Sequence, residues 1–472
     1  MENRKDSSKK RSGRDVFADF FEPRCIGIIG SFREGFFGGY TVVKSLLNAG
    51  YKGEIYPVNP GYEAVLGLKA YPSIKDLPGR PDVVLIMINA RSVGHVLQEC
   101  GSRGVRAAIV VADGFAERNQ DGVRLQKEIV AIAGKNGIRI IGPNTAGIVN
   151  TENGFNPCPY DAGYYRLKKG GVAICSQTGM INPQAVPFPD LHLGISKICD
   201  LGNKCDVDEC DILEYLESDA ATKVISLYLE GIKDGQRFLK TARRVARKKP
   251  ILVHKPGKTR AGARASSSHT GSLALDDRLF DGLSRQAGVF RLDRFHELFE
   301  VPKIFSSQPP ARGNRLGIIT FTGAVGVIAL DEGAKYGLTL ARLSPKTQAL
   351  LDNIFPGTGK VPVDLGPVMA AVKDFFPLYP KVLGAVMADE NVHALFNILW
   401  IGVGAENAGY FLEAYKALKG KREKPIATWV YGPEKSSTRA LERDLEDLGF
   451  PVFSEPETCI KALGLSVQYA SD

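Results

Sequence analysis

Between residues 25 and 150 short β-rich runs alternate with longer helical ones, and this alternation limits what the chain can fold into. The β-rich runs are 25–29, 55–58, 83–88, 108–111 and 138–141. Repeated switching between the two periods means βαβ units, hence a parallel sheet with helices on both faces. A second set of the same kind starts at 172–175, continues at 224–229 and 251–254, and closes near Phe305. The stretch Ser306-Ser307-Gln308-Pro309-Pro310 has linker chemistry, because prolines and small polar residues continue neither flanking element. A third set has strand candidates at 316–320, 395–400 and 426–431. The expectation is an α/β protein, and 472 residues suit about three domains, each with its own core.

Composition narrows the function classes. No apolar run approaches the ~20 residues of a membrane helix, so no membrane role is expected. The net charge of +9 does not imply nucleic acid. Six of the positive charges (Arg4, Lys5, Lys9, Lys10, Arg11, Arg14) lie at the N-terminus, and no basic stripe with interleaved aromatics follows. That segment lacks the apolar stretch of a secretory signal and reads as a basic tail, residues 1–20. The eight cysteines are scattered and suit reduced thiols in a cytoplasm. Cys205 and Cys210 are too far apart for a CxxC pair, so no metal site is expected.

After the first strand the chain reads Gly30-Ser31-Phe32-Arg33-Glu34-Gly35-Phe36-Phe37-Gly38-Gly39, then a helix with Val42, Val43, Leu46 and Leu47 on one side. Glycines in a strand-to-helix turn let backbone N–H groups approach an anion, although the same glycines also serve tight helix–strand packing. The spacing is not GxGxxG, and the second strand ends Val58-Asn59-Pro60 with no acidic residue for a dinucleotide ribose. NAD is disfavoured.

Two more strands run into hydroxyl and glycine residues where a helix is expected to start: Ser176-Gln177-Thr178-Gly179 and Thr322-Gly323-Ala324. Each fits a simple N-cap; two aimed at one point would make a strong anion site. The strand 251–254 leads into a Gly/Ala/Ser-rich run that carries Ser266-Ser267-Ser268-His269-Thr270-Gly271. Such a segment has little to bury and reads as a surface loop, so His269 is no core histidine. Lys255, Lys258, Arg260 and Arg264 precede it and suit phosphate charge near a reacting imidazole.

Five pieces in register carry a family resemblance: residues 51–60 (YKGEIYPVNP), 142–144 (GPN), 201–204 (LGNK), 228–232 (YLEGI) and 267–271 (SSHTG). The chain resembles the α subunit of ADP-forming acetyl-CoA synthetase and, more distantly, that of succinyl-CoA synthetase, from Phe21 onward. The resemblance implies a Rossmann-like CoA-binding domain at 21–155, then two flavodoxin-like ligase-CoA domains at 165–305 and 312–472. It implies His269 as a phosphohistidine, with Glu230 as the carboxylate orienting its ring. Ser176, Gln177, Thr178 and Gly179, with Thr322, Gly323 and Ala324, become phosphate-binding helix starts. CoA is expected over Gly30, Ser31, Arg33, Gly35, Val58, Asn59, Pro60, Asp113, Gly114, Pro143 and Asn144.

The activity so implied interconverts acyl-CoA, phosphate and ADP with a carboxylic acid, CoA and ATP. No segment is left over for an ATP-grasp domain, so ADP or ATP with Mg is expected on a separate β subunit, in an α2β2 or similar hetero-oligomer. The chain departs from the family at Thr145-Ala146-Gly147, Thr178-Gly179-Met180, 321–326 and 361–364. The last three departures are expected near the acyl and phosphate pocket, which leaves the acid open. A CoA-binding regulatory or scaffold protein of the same fold is the non-enzymatic alternative.

Overall fold

The computed structural model describes residues 15–35, 37–160, 166–262, 276–421 and 423–471. They form two compact units, one up to Asp293 and one from Arg294.

The first unit holds two sheets with one logic. In the first, β1 (Cys25–Gly30), β2 (Glu54–Val58), β5 (Val83–Met87), β6 (Ala107–Val110) and β7 (Arg139–Ile141) pair in the order β2-β1-β5-β6-β7, all parallel. A small hairpin, β3 (Ala64–Val65) with β4 (Leu68–Lys69), lies apart. In the second sheet, β9 (Lys169–Ser176), β10 (Ile195–Asp200), β11 (Val224–Tyr228), β12 (Ile251–His254) and β13 (Phe290–Leu292) are parallel in the order β10-β9-β11-β12-β13. The short β8 (Ile148–Asn150) adds antiparallel to β10. In both sheets the first long strand is flanked by the second and third, so the winding direction reverses there. Ligands of such sheets bind beyond the carboxyl ends of the strands at that reversal.

The strands form where they do because helices cover both faces of a parallel sheet, which makes its strands near-continuous apolar runs. β1 and β10 are buried at every residue. β10 nevertheless escapes a reading by apolar runs, because Ser196 and Lys197 interrupt it. The Lys197 ammonium is buried but neutralised by Asp219 at 3.0 Å. Helix starts follow ordinary capping chemistry: Asn89 accepts from the Arg91 N–H, and Asp208 makes a capping box with Asp211.

One expected helix start is absent. After Ser176 the chain makes turns, and no helix begins before Phe188–Leu191. Pro183 and Pro187 explain this, since each lacks an N–H and disfavours helical backbone in the residue before it.

The second unit carries β14 (Arg315–Thr320), β15 (Thr339–Leu340), β16 (Val363–Asp364), β17 (Ala394–Trp400) and β18 (Ile426–Tyr431), all parallel. β15 and β16 share one side of β14, and β17 and β18 follow on the other. Ser306 and Ser307 end a helix, Pro302–Ser307, and Gln308 donates to the Gly449 carbonyl at 2.8 Å. The linker-like stretch therefore begins as ordered structure of this unit.

Candidate active site

In the first unit, the carboxyl ends of both sheets open into one cavity of about 1040 Å³. From the first sheet it is lined by Ser31, Arg33 and Gly35 after β1, by Met87 to Asn89 after β5, and by Val111 to Asp113 after β6. From the second sheet come Gln177, Thr178, Gly179, Asp200, Gly202 and Asn203. Asn144, Thr145 and Ala146 wall it between the two.

The glycine turn is held shut by its own backbone. Gly38, at φ +135°, donates to the Pro159 carbonyl at 3.0 Å, and Gly39 donates to the Ser31 carbonyl at 3.1 Å. A Cβ on Gly39 would lie 2.9 Å from that carbonyl, so the turn needs glycine there. Tyr160 covers the turn: it pairs with Phe37 as a β-bridge, their rings 5.1 Å apart, and it lines the cavity.

The expected CoA contacts divide. Ser31, Arg33, Gly35, Asp113 and Asn144 line the cavity. Gly30, Val58, Asn59 and Pro60 border a smaller cavity of about 210 Å³. There the Asn59 side chain donates to the Gly30 carbonyl at 2.8 Å and so fastens the end of β2 to that of β1. Gly114 donates its N–H to Glu117 at 2.6 Å, and the Pro143 carbonyl accepts from the Asn203 N–H at 2.9 Å. Among the expected phosphate contacts, the Ser176 hydroxyl turns back to the Thr178 carbonyl at 3.0 Å and accepts from the Thr178 N–H at 3.0 Å. In the second unit Thr320 and Thr322 repeat this pairing at 2.7 and 2.9 Å. There the helix does follow: Thr322 is the N-cap of Gly323–Ala334, so Gly323 and Ala324 form its first turn.

Glu230 is buried at the end of β11. The Gln177 carboxamide oxygen accepts from the N–H groups of Glu230 and Gly231 at 2.9 and 3.3 Å. The Tyr228 hydroxyl hydrogen-bonds to the Glu230 carboxylate; burial, then that charge, pushes the phenol up to about 12. His269 and Arg264 lie outside the described residues. Of the other cations, Lys255 is buried with its ammonium over the Phe280 ring, and Lys258 pairs with Asp293 at 2.8 Å.

The largest omission of a sequence reading is Asp200. It ends β10, is 1% exposed and lines the cavity. Its carboxylate accepts from the N–H groups of Ala146 at 2.6 Å and Gly202 at 3.1 Å. Burial nevertheless dominates and raises its pKa to about 6, with the Glu230 charge adding to the rise. The readable signal was its place directly before Leu201-Gly202-Asn203-Lys204.

Residues 23–151 match the CoA binding domain model, and residues 169–305 match the succinyl-CoA ligase like flavodoxin domain model. The chain is 36% identical over 464 residues to acetate–CoA ligase [ADP-forming] II subunit alpha of Pyrococcus furiosus, covering 96% of this chain and 98% of that one. The chain belongs to the ADP-forming acetate–CoA ligase family. Acetate–CoA ligase [ADP-forming] II of Archaeoglobus fulgidus is 38% identical, but this chain spans only 67% of it. The structure superposes on the acetyl-coenzyme A synthetase 1 of Ca. Korarchaeum cryptofilum, solved with phosphate and ADP, with a TM-score of 0.86 at 28% identity, covering 97% of each chain. In this member of the ligase family Thr145, Ala146, Thr178 and Gly179 share the cavity wall. Among the described residues no helix is long and apolar enough to cross a membrane.

Proposed function

We propose that this chain is the CoA-handling, catalytic subunit of an ADP-forming acyl-CoA synthetase. The observation that carries the reading is the single cavity walled by the β1 turn of the CoA-binding-type sheet and by the Gln177–Gly179 turn of the ligase-type sheet. A thioester needs both, one to hold the nucleotide end and one to bring phosphate to the carbonyl. Membership in a family of ligases supports turnover over a CoA-binding scaffold.

In this reading CoA extends along Ser31, Arg33, Gly35, Asp113 and Asn144. Phosphate at Gln177, Thr178 and Gly179 attacks the thioester carbonyl, the C–S bond breaks, and CoA leaves as the thiol. An imidazole nitrogen of His269 then attacks the phosphorus of the acyl phosphate and releases the carboxylate. Glu230 accepts the other ring N–H and fixes the tautomer. The phosphohistidine gives its phosphoryl group to ADP, regenerating the imidazole and forming ATP. On the second unit Thr322, Gly323 and Ala324 act as a phosphate-binding helix start.

ADP and Mg belong to an ATP-grasp β subunit, in an α2β2 or similar cytoplasmic assembly. The match over nearly the full length of a relative named as a subunit alpha supports a partner subunit. The test is ATP formation from acyl-CoA, phosphate and ADP across a set of carboxylic acids. Turnover is expected with the partner and none by this chain alone; sustained turnover by the chain alone overturns the division of labour.

A further inference from the structure

The segment Leu201-Gly202-Asn203-Lys204 is one of the five pieces on which the family resemblance rests, yet the reaction above gives it no task. Its backbone is unusual. Gly202 and Lys204 both sit in the left-handed region, at φ +52° and +51°. A Cβ on Gly202 would lie 2.2 Å from the Pro143 carbonyl. A lysine held in that region signals surroundings that over-determine it.

The two side chains that follow Gly202 point to opposite halves of the site. The Asn203 amide group donates to Glu117 and, at 3.0 Å, to Gln126. Glu117 in turn accepts from the N–H groups of Gly114 and Phe115 at 2.6 and 2.9 Å. Asn203 thus steadies the loop that carries Asp113, on the CoA side. Lys204 is 1% exposed; its ammonium donates to the Gly231 carbonyl at 2.6 Å and pairs with the buried Glu209 at 2.7 Å. The backbone of Glu230 and Gly231 is therefore held at both ends: Gln177 takes their N–H groups and Lys204 takes the Gly231 carbonyl.

We propose that Asn203 and Lys204 are positioning residues, Asn203 setting the 113–117 loop for CoA and Lys204 setting Glu230 for its work on His269. Neither touches the reacting atoms. The inference rests on the proposed phosphohistidine reaction. It assigns the buried Lys204–Glu209 pair a purpose beyond stability, since a buried pair is weak evidence for stability on its own.

The test uses the full chain, labelled with acetyl phosphate, and calorimetric titration with CoA. Lys204→Met alone strands the Glu209 carboxylate, so Lys204→Met/Glu209→Gln is the informative variant. Its maximal labelling rate is expected to fall about 10²-fold, the effect of misplacing a working group by roughly 1 Å. Its half-saturation by acetyl phosphate and its CoA affinity stay unchanged. Lys204→Arg, which keeps the charge but displaces the Gly231 carbonyl, shows the same split. Asn203→Ala reads the CoA side: CoA binding weakens roughly tenfold. If wild type labels and the double variant matches its rate, or if both Lys204 variants lose CoA binding, this inference is overturned alone. If wild type takes no label, the phosphohistidine reading falls and takes this inference with it.

Discussion

Gln177 and Glu230 are clamped across the reversal point of the second sheet, the Gln177 carboxamide oxygen accepting the N–H groups of Glu230 and Gly231 at 2.9 and 3.3 Å. The Gln177 N–H is itself committed to the Tyr228 carbonyl at 3.0 Å, so the residue that walls the cavity also fixes the end of β11. Gln177→Met keeps the length of the side chain and deletes the acceptor. Two buried N–H groups then lose their partner, at about 1–3 kcal/mol each. A lower melting temperature and slower phosphoryl labelling are expected together. Gln177→Glu restores the acceptor, recovering stability in a melt, yet sets a negative charge where phosphate is proposed to bind, so its labelling is expected to stay slow.

His269 is expected to carry the phosphoryl group. Incubation with acetyl phosphate gives an acid-labile, base-stable label that mapping by mass spectrometry places on His269. His269→Ala removes the label and leaves CoA binding intact, because the expected CoA contacts belong to the domain expected at 21–155. Glu230→Gln labels more slowly, by roughly 10²–10⁴-fold, the usual effect of losing a positioned acid–base or orienting group.

The alternation that announces the parallel sheets was legible because their strands are buried on both faces, so β1, β5 and β12 stand out as apolar runs. β10 was not, since the partner that tolerates Lys197 in the interior, Asp219, lies on another segment. The hydroxyl–glycine signal is the same at Ser176 and at Thr320, yet only the second starts a helix; the prolines at 183 and 187 were the readable difference. Of the five expected CoA-side residues that line the cavity, three, Ser31, Arg33 and Gly35, lie in the glycine turn. Tyr160 and Asp200 were not legible, because each enters the cavity wall through contacts with distant segments, Phe37 for one and Ala146 for the other.

CoA rather than NAD is expected to bind the first unit. The end of β2 supports this: Asn59, where an NAD site needs a carboxylate for the ribose, spends its side chain on the Gly30 carbonyl. Arg33 lines the cavity and is the cation of the glycine turn. Arg33→Ala should weaken CoA binding, and the loss should shrink as salt screens the phosphate charge. Titration calorimetry at two ionic strengths checks both; NAD binding tighter than CoA refutes the assignment.

Asp200 should make stability depend on pH in a window where most carboxylates do not. Its pKa is raised from 3.8 to about 6 in the folded chain, chiefly by burial. Between those values the native state therefore binds more protons than the unfolded one. The sign follows: unfolding free energy falls as pH rises through the window and is flat above it. A shift of this size corresponds to roughly 3 kcal/mol lost between pH 4 and pH 7. Asp200→Asn cannot ionise, so this component should vanish from its denaturation midpoints measured across the same range. The difference between the two proteins isolates the residue from all other titrating groups. The variant keeps one oxygen for the Ala146 or Gly202 N–H and leaves the other donor without a partner, so it should be the less stable protein at pH 4 and close the gap by pH 7. A difference that does not change with pH would mean that Asp200 titrates as an ordinary carboxylate, and that the cavity wall beside Glu230 is wetter than its burial implies.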